Sequence, residues 1–142
     1  TYFQQMAGLQ RNPISAEITY GLERICMFIQ KKKNVFDLIW NDEGVTYKDI
    51  FYRSEKQFSK YNFEIADTKN LFTTFKLLED EAKNLLLNGL PLPAYDQSLK
   101  ASHVFNILDS RGAISIAQRA DYISKIRELV KSVGEKYLRD SH

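Results

Sequence analysis

The chain has 142 residues, of which 44% are hydrophobic, 13% aromatic and 27% charged; this is about one domain in length and too apolar for a disordered tail. Its 20 basic and 18 acidic residues leave a formal charge of +2, so no strong overall field draws it to nucleic acid, and any RNA contact has to be local. The longest unbroken apolar run, Ile25 to Ile29, falls far short of the roughly 20 residues a membrane span requires, which predicts no span.

Thr1-Tyr2-Phe3-Gln4-Gln5 has no initiator Met and reads at once as a strand, as if the record begins inside a sheet, so a fragment of a longer chain is expected. These residues also lack the charged, apolar and small-residue regions of a secretory signal. From Thr1 to about Tyr20 the pattern is β, with Gly8, Asn12 and Pro13 as turn punctuation between two extended runs, which predicts a hairpin. In the second run Ile14, Ala16, Ile18 and Tyr20 alternate with Ser15, Glu17 and Thr19, placing Glu17 and Thr19 on one face. In the first, Tyr2 and Gln4 share a face and Gln5 points the other way, so at most one of the two glutamines lines a cleft.

After Gly21 the period changes to that of a helix, with Leu22, Ile25, Cys26 and Ile29 at i, i+3, i+4 and i+7. This helix is expected to end within Lys31-Lys32-Lys33-Asn34, where positive side chains suit the negative end of the dipole. Cys26 cannot form an internal disulfide and reads as a small buried thiol, in keeping with a reducing cytoplasm. Val35–Trp40 is apolar enough to be buried and Asn41-Asp42-Glu43-Gly44 is a loop, while most of 35–64 has no decisive pattern.

From Asp67 onward helical punctuation repeats three times. Asp67 caps a helix whose stripe is Leu71, Phe72, Phe75, Leu78, Ala82 and Leu85, stopped by Gly89 and Pro91. Pro93 suits the first turn of a second helix, which reaches about Ser110 with Leu99, Val104 and Leu108 among its apolar positions and Gly112 beyond its end. Ser115 with Gln118 forms a capping-box pair for a third, carrying Ile116, Ala120, Ile123, Val130, Val133 and Tyr137. Each stripe has to be buried against another, so a small three-helix bundle is expected, and with the hairpin the fold class is α+β. Residues 1–40 then form one part, 41–66 a partly helical connection and 67–142 a helical domain.

The sequence has no Gly-rich phosphate loop, no metal-spaced Cys or His cluster and no Ser-His-Asp set. His103, mid-helix among polar neighbours, reads as a structural histidine, and the terminal His142 is uninformative. The informative string is Ala16–Ile25, a strand turning through one glycine into a helix with Arg24 on its first turn. Glycine permits a tight turn beside a ligand, and a planar guanidinium both stacks on an adenine ring and hydrogen-bonds phosphate oxygens. On the residues alone two readings of Arg24 stand: a nucleotide grip, or a surface ion pair with Glu23 or another acid.

Gly21-Leu22-Glu23-Arg24 ahead of an apolar helix resembles motif 3 of the class II aminoacyl-tRNA synthetases. Longer strings narrow the likeness: Thr1-Tyr2-Phe3-Gln4-Gln5, Glu17-Ile18-Thr19-Tyr20-Gly21-Leu22-Glu23-Arg24, Tyr61-Asn62-Phe63-Glu64, Leu90-Pro91-Leu92-Pro93-Ala94-Tyr95, Ser102–Asp109 and Arg111-Gly112-Ala113-Ile114-Ser115. In that order they resemble the C-terminal half of the α subunit of bacterial tetrameric glycyl-tRNA synthetases. The resemblance implies an enzyme that joins glycine to ATP, with Mg2+, to form glycyl-adenylate and pyrophosphate, and then moves the glycyl group to the 3′ end of tRNA(Gly). It implies an α–α homodimer working with a β subunit in an α2β2 tetramer, in the cytoplasm and without a membrane.

By that likeness Arg24 is the motif 3 arginine that sandwiches adenine and contacts the γ-phosphate, with Gly21 and Gln4 beside the nucleotide. Glu17 and Thr19 match a Glu-x-Ser pair that receives the glycine ammonium, as carboxylate partner and hydroxyl acceptor. An ammonium contact cannot separate glycine from alanine, so bulk has to reject the methyl, with Tyr20, Tyr2 and Phe3 the candidates. One departure is Thr19, which stands where a general motif 3 has its earlier glycine. Motifs 1 and 2 and most magnesium ligands lie outside these residues, so no metal ligand is assigned here and the piece alone is expected to be inactive. A second reading is a non-catalytic module, in which the helical part docks a partner subunit or tRNA through Lys125, Arg127, Lys131, Lys136 and Arg139. Asp121, Glu128 and Glu135 interrupt that basic face, and a solvated face is the expectation.

Overall fold

The computed structural model describes residues 1–6 and 8–140; His142 lies outside them. The chain is α+β, a two-stranded antiparallel hairpin followed by helices. β1 (Tyr2–Met6) and β2 (Leu9–Ala16) pair with Met6 opposite Leu9, Gln5 opposite Gln10, Phe3 opposite Ser15 and Tyr2 opposite Ala16. Of the expected turn residues only Gly8 lies in the connection, at a φ of +82° that costs a glycine no Cβ clash. Asn12 and Pro13 lie inside β2 instead. The register slips between Phe3 and Gln5, and a proline, with no N–H to give the ladder, is tolerated at such an irregularity. The strand stops at Ala16, four residues short of the expected Tyr20, after a last rung in which the Glu17 N–H donates to Thr1 O at 2.8 Å.

α1 (Leu22–Ile29) ends before the lysine run rather than within it. Lys31 takes a φ of +54°, its N–H reaches Phe28 O at 3.2 Å, and the Lys32 N–H reaches Met27 O at 2.8 Å. This pair of backward bonds around one left-handed residue closes a helix end by satisfying its last carbonyls. The lysines therefore follow the helix instead of forming its last turn. A 3-10 turn (Val35–Asp37) leads to Leu38, which is buried, while Ile39 and Trp40 stay exposed, against the expectation that the whole run is buried. Ile39 pairs with Thr46 in an isolated antiparallel bridge around the Asn41–Gly44 loop. α2 (Tyr47–Lys60) starts on a capping box between Thr46 and Asp49, and a single π turn over Tyr61–Ile65 continues it.

The helical part follows its punctuation closely. α3 (Thr68–Leu87) starts where the Asp67 carboxylate accepts from the Lys69 and Asn70 N–H groups at 2.9 and 3.1 Å. Gly89, at a φ of +75°, follows its end. α4 begins at Pro91 and runs to Ser110, so both prolines occupy first-turn positions whose N–H has no helical partner. α5 (Ile116–Asp140) starts on the expected box, with Gln118 N–H to Ser115 Oγ at 3.2 Å and Ser115 N–H to Gln118 Oε1 at 2.9 Å.

α4 packs against both α3 and α5, and this middle position explains why it buries Ala94, Ser98, Ala101, Val104, Phe105, Ile107 and Leu108, on more of its circumference than a one-sided stripe. The expected Leu99 is on its exposed side. Tyr122 of α5 joins the core, its ring edge-on to Phe75 at 4.6 Å and stacked near Phe105 at 6.1 Å. Arg111, just past α4, donates to Phe63 O at 2.8 Å and Ala66 O at 3.2 Å, pinning the π turn to the bundle. The hairpin also rests on the bundle: a Cβ at Gly134 of α5 would sit 3.0 Å from Leu9 Cδ1, so the bare backbone is what admits Leu9. Leu108 is fully buried and Leu77 is 64% exposed. Urea unfolding of Leu108→Ala is expected to show a loss of about 3 kcal/mol, with Leu77→Ala within about 0.5 kcal/mol of the parent.

Candidate functional site

The chain from Glu17 to Gly21 leaves the sheet without regular structure and enters α1. Gly21 is the N-cap residue, with its carbonyl accepting from the Ile25 N–H at 3.1 Å. Its φ of −78° and ψ of 95° are open to any residue, so the turn itself does not demand glycine. A Cβ there would meet Arg24 Cβ at 3.7 Å, an ordinary contact.

Arg24 lies on the first turn of α1, exposed, and among the described residues it makes no ion pair or side-chain hydrogen bond. The ion-pair alternative raised by the sequence is therefore not what the structure contains. Glu23 and Tyr47 instead line one groove, where the Glu23 carboxylate helps raise the pKa of the Tyr47 phenol. Glu17 and Thr19 are brought together, with the Thr19 hydroxyl donating to the Glu17 carboxylate. Because β2 has already ended, a local hydroxyl–carboxylate bond and not strand alternation holds this pair. Gln4 is exposed on β1 at the register slip, and nothing described joins it to the other candidates.

Along the other side of α1 runs a largely apolar groove lined by Leu22, Cys26, Gln30, Leu38, Trp40 and Tyr47. Cys26 is exposed in it, not buried as expected, because helical spacing shows which residues share a face but not whether anything covers that face. Two residues the sequence reading missed stand here. Gln30 clamps the backbone of Ile39, its Nε2 donating to Ile39 O at 3.0 Å and its Oε1 accepting from the Ile39 N–H at 2.8 Å. Tyr47 sits among Phe36, Trp40 and Phe51, its ring 4.4 Å from that of Phe51. The one available signal for Gln30 is that Leu22, Cys26 and Gln30 follow i, i+4, i+8, which puts an amide on an otherwise apolar stripe.

The basic side chains of α5 are mostly spent on their own helix: Lys125 pairs with Asp121 at 2.6 Å, Lys136 with Asp140 at 3.2 Å, and Lys131 and Arg139 each approach Glu135 at 3.9 Å. These pairs balance much of the charge along that face. His103 is exposed on α4. No described helix is long and apolar enough to cross a membrane, and the described residues contain no group of three or more His, Cys, Asp or Glu placed to hold a metal ion.

A guanidinium with no ion pair among the described residues at the first turn of a helix, an acid–hydroxyl pair on the segment leading into it and a glycine between them thus follow one another along the chain. Comparison with known families matches residues 1–142 to the family described as glycyl-tRNA synthetase alpha subunit. The chain belongs to that family. The glycyl-tRNA synthetase α-subunit family is one of aminoacyl-tRNA synthetases, enzymes of the ligase kind, and its match over every residue supports a general role in glycine–tRNA ligation.

Tyr47 tests the local electrostatics of this family member. Its phenol is held above the ordinary value of about 10, first by desolvation, then by the charges of Glu23 and Glu55 and the bond to Glu23. A phenol raised in the folded state contributes stability that is complete below its unfolded pKa and lost as pH rises through the folded one. Ultraviolet difference titration of Glu23→Gln is expected to bring Tyr47 ionisation back toward the ordinary value without restoring it fully, since burial remains.

Proposed function

We propose that the chain supplies the motif 3 part of a class II glycine–tRNA ligase active site, acting on glycine, ATP and tRNA(Gly). In this reading residues 1–40 belong to the catalytic domain, 41–66 connect, and 67–142 form a helical domain. The observation that carries the reading is Arg24, without an ion pair among the described residues, beside Gly21 and entered from the paired Glu17 and Thr19.

The chemistry follows from those groups. The Arg24 guanidinium stacks on the adenine and hydrogen-bonds the γ-phosphate, so it stabilises charge that grows as pyrophosphate leaves. Glu17 receives the glycine ammonium, and the Thr19 hydroxyl, already bonded to that carboxylate, orients it and offers its own oxygen as a second acceptor. With the ammonium held and the adenylate clamped, the glycine carboxylate is presented to the α-phosphate in a fixed orientation. Gly21 and Gln4 border the nucleotide. Mg2+ accompanies ATP as part of the substrate; the described residues give it no cage of their own. An α–α dimer joined to β subunits in an α2β2 tetramer, working in the cytoplasm, completes the proposal, and the preceding half of the α subunit supplies motifs 1 and 2, without which this piece does not activate glycine. The competing docking-module reading draws little support from α5, whose cations are mostly paired along the helix.

The test is glycine-dependent ATP–pyrophosphate exchange by the complete α subunit with its β partner. Arg24→Ala is expected to lose about a hundredfold or more, matching a transition-state contact of about 3 kcal/mol; unaltered exchange refutes the assignment. Glu17→Gln is expected to raise KM for glycine about tenfold with KM for ATP little changed.

A further inference from the structure

α1 is only eight residues long and buries none of them, so side-on packing does not fix where its first turn sits. Two polar contacts reach it instead, both from the segment that follows. At the far end, Gln30 presents its carboxamide to Ile39 as a neighbouring strand would, giving an N–H at 3.0 Å and accepting one at 2.8 Å. This reciprocal bond satisfies both backbone groups of Ile39 at once and defines distance and direction together. At the near end, Tyr47 faces Glu23, the residue next to Arg24, across the groove that both line. The two anchors are themselves one unit. Ile39 bridges to Thr46, the Tyr47 N–H donates to Leu38 O at 2.8 Å, and Thr46 begins α2 with the capping box. The ribbon 38–47 thus holds α1 at both ends, and the side chain between them, Arg24, is left free for a ligand.

We propose that Gln30 and Tyr47 are positioning residues for Arg24, holding α1 from the 38–47 ribbon so that the guanidinium is aligned on its ligand before the ligand arrives. The inference rests on the nucleotide role assigned to Arg24 above. Neither anchor touches substrate; each acts through the helix. A small tilt of a short helix displaces a side chain at its start, and misplacements of about 1 Å can cost up to a hundredfold in rate.

The test is a double-mutant cycle in the complete α subunit with its β partner, read as kcat/KM for ATP in glycine-dependent exchange. Gln30→Ala is expected to lose about tenfold, carried mainly by ATP parameters with KM for glycine near the parent value, and Tyr47→Phe severalfold in the same direction. In the Arg24→Ala background both further losses are expected to shrink to less than twofold, because a positioning residue has nothing left to position. Tyr47→Phe keeps the ring and its packing, so it preserves the test should Gln30→Ala fold poorly. Losses of the same size with and without Arg24 would overturn the inference while leaving the role of Arg24 intact. An Arg24→Ala variant with unaltered exchange would overturn both, and so separates failure of the underlying reading from failure of this one.

Discussion

In the role proposed for Arg24 the whole guanidinium meets a ligand and cannot also be tied down by protein acids, so its position has to come from the backbone that carries it. That constraint organises the first half of this chain. Arg24 has no ion pair among the described residues, and its helix has no buried residue to seat it. The backbone is therefore fixed by bonds at its ends: a Schellman closure after Ile29, the Gln30 amide on Ile39, and the Glu23–Tyr47 contact. Such bonds are directional where apolar packing is not, which suits the positioning role proposed for this part.

The helical half answers a different need. Its core of Leu71, Phe75, Ala101, Val104, Phe105, Ile107 and Leu108 is conventional side-chain burial around a central helix. Its links to the rest include Ala66, buried in that core, Arg111 on the carbonyls of Phe63 and Ala66, and Leu9 seated where Gly134 has no side chain. The bundle thus contacts the hairpin near its turn and the connecting segment at its end, and leaves the Glu17–Arg24 stretch outside its core.

How much of this could be read in advance depended on whether the signal was local. Asp67, the Ser115–Gln118 pair and the glycines at 89 and 112 act on their own few residues, and the helix limits they imply agree with the structure within a few residues. Pro13 misled because turn composition is also tolerated at a strand irregularity. Lys31 misled because a left-handed residue closing a helix is usually glycine, and nothing in a lysine run announces it. The spacing of Leu22, Ile25, Cys26 and Ile29 marked a face correctly but could not say that it would stand open, since burial depends on what packs there. The contacts of Gln30 and Tyr47 could not be read because their partners, Ile39 and Glu23, are nine and 24 residues away in the chain. At the candidate site the residue types were evident, while the Thr19–Glu17 bond and the freedom of Arg24 emerged only from coordinates.

The most direct measurement is a crystal structure of the complete α subunit with a non-hydrolysable glycyl-adenylate analogue. The account predicts the adenine stacked against the Arg24 guanidinium and the analogue's amine within hydrogen-bond distance of the Glu17 carboxylate. A purine bound away from Arg24, or an amine that meets some other acid, would contradict it.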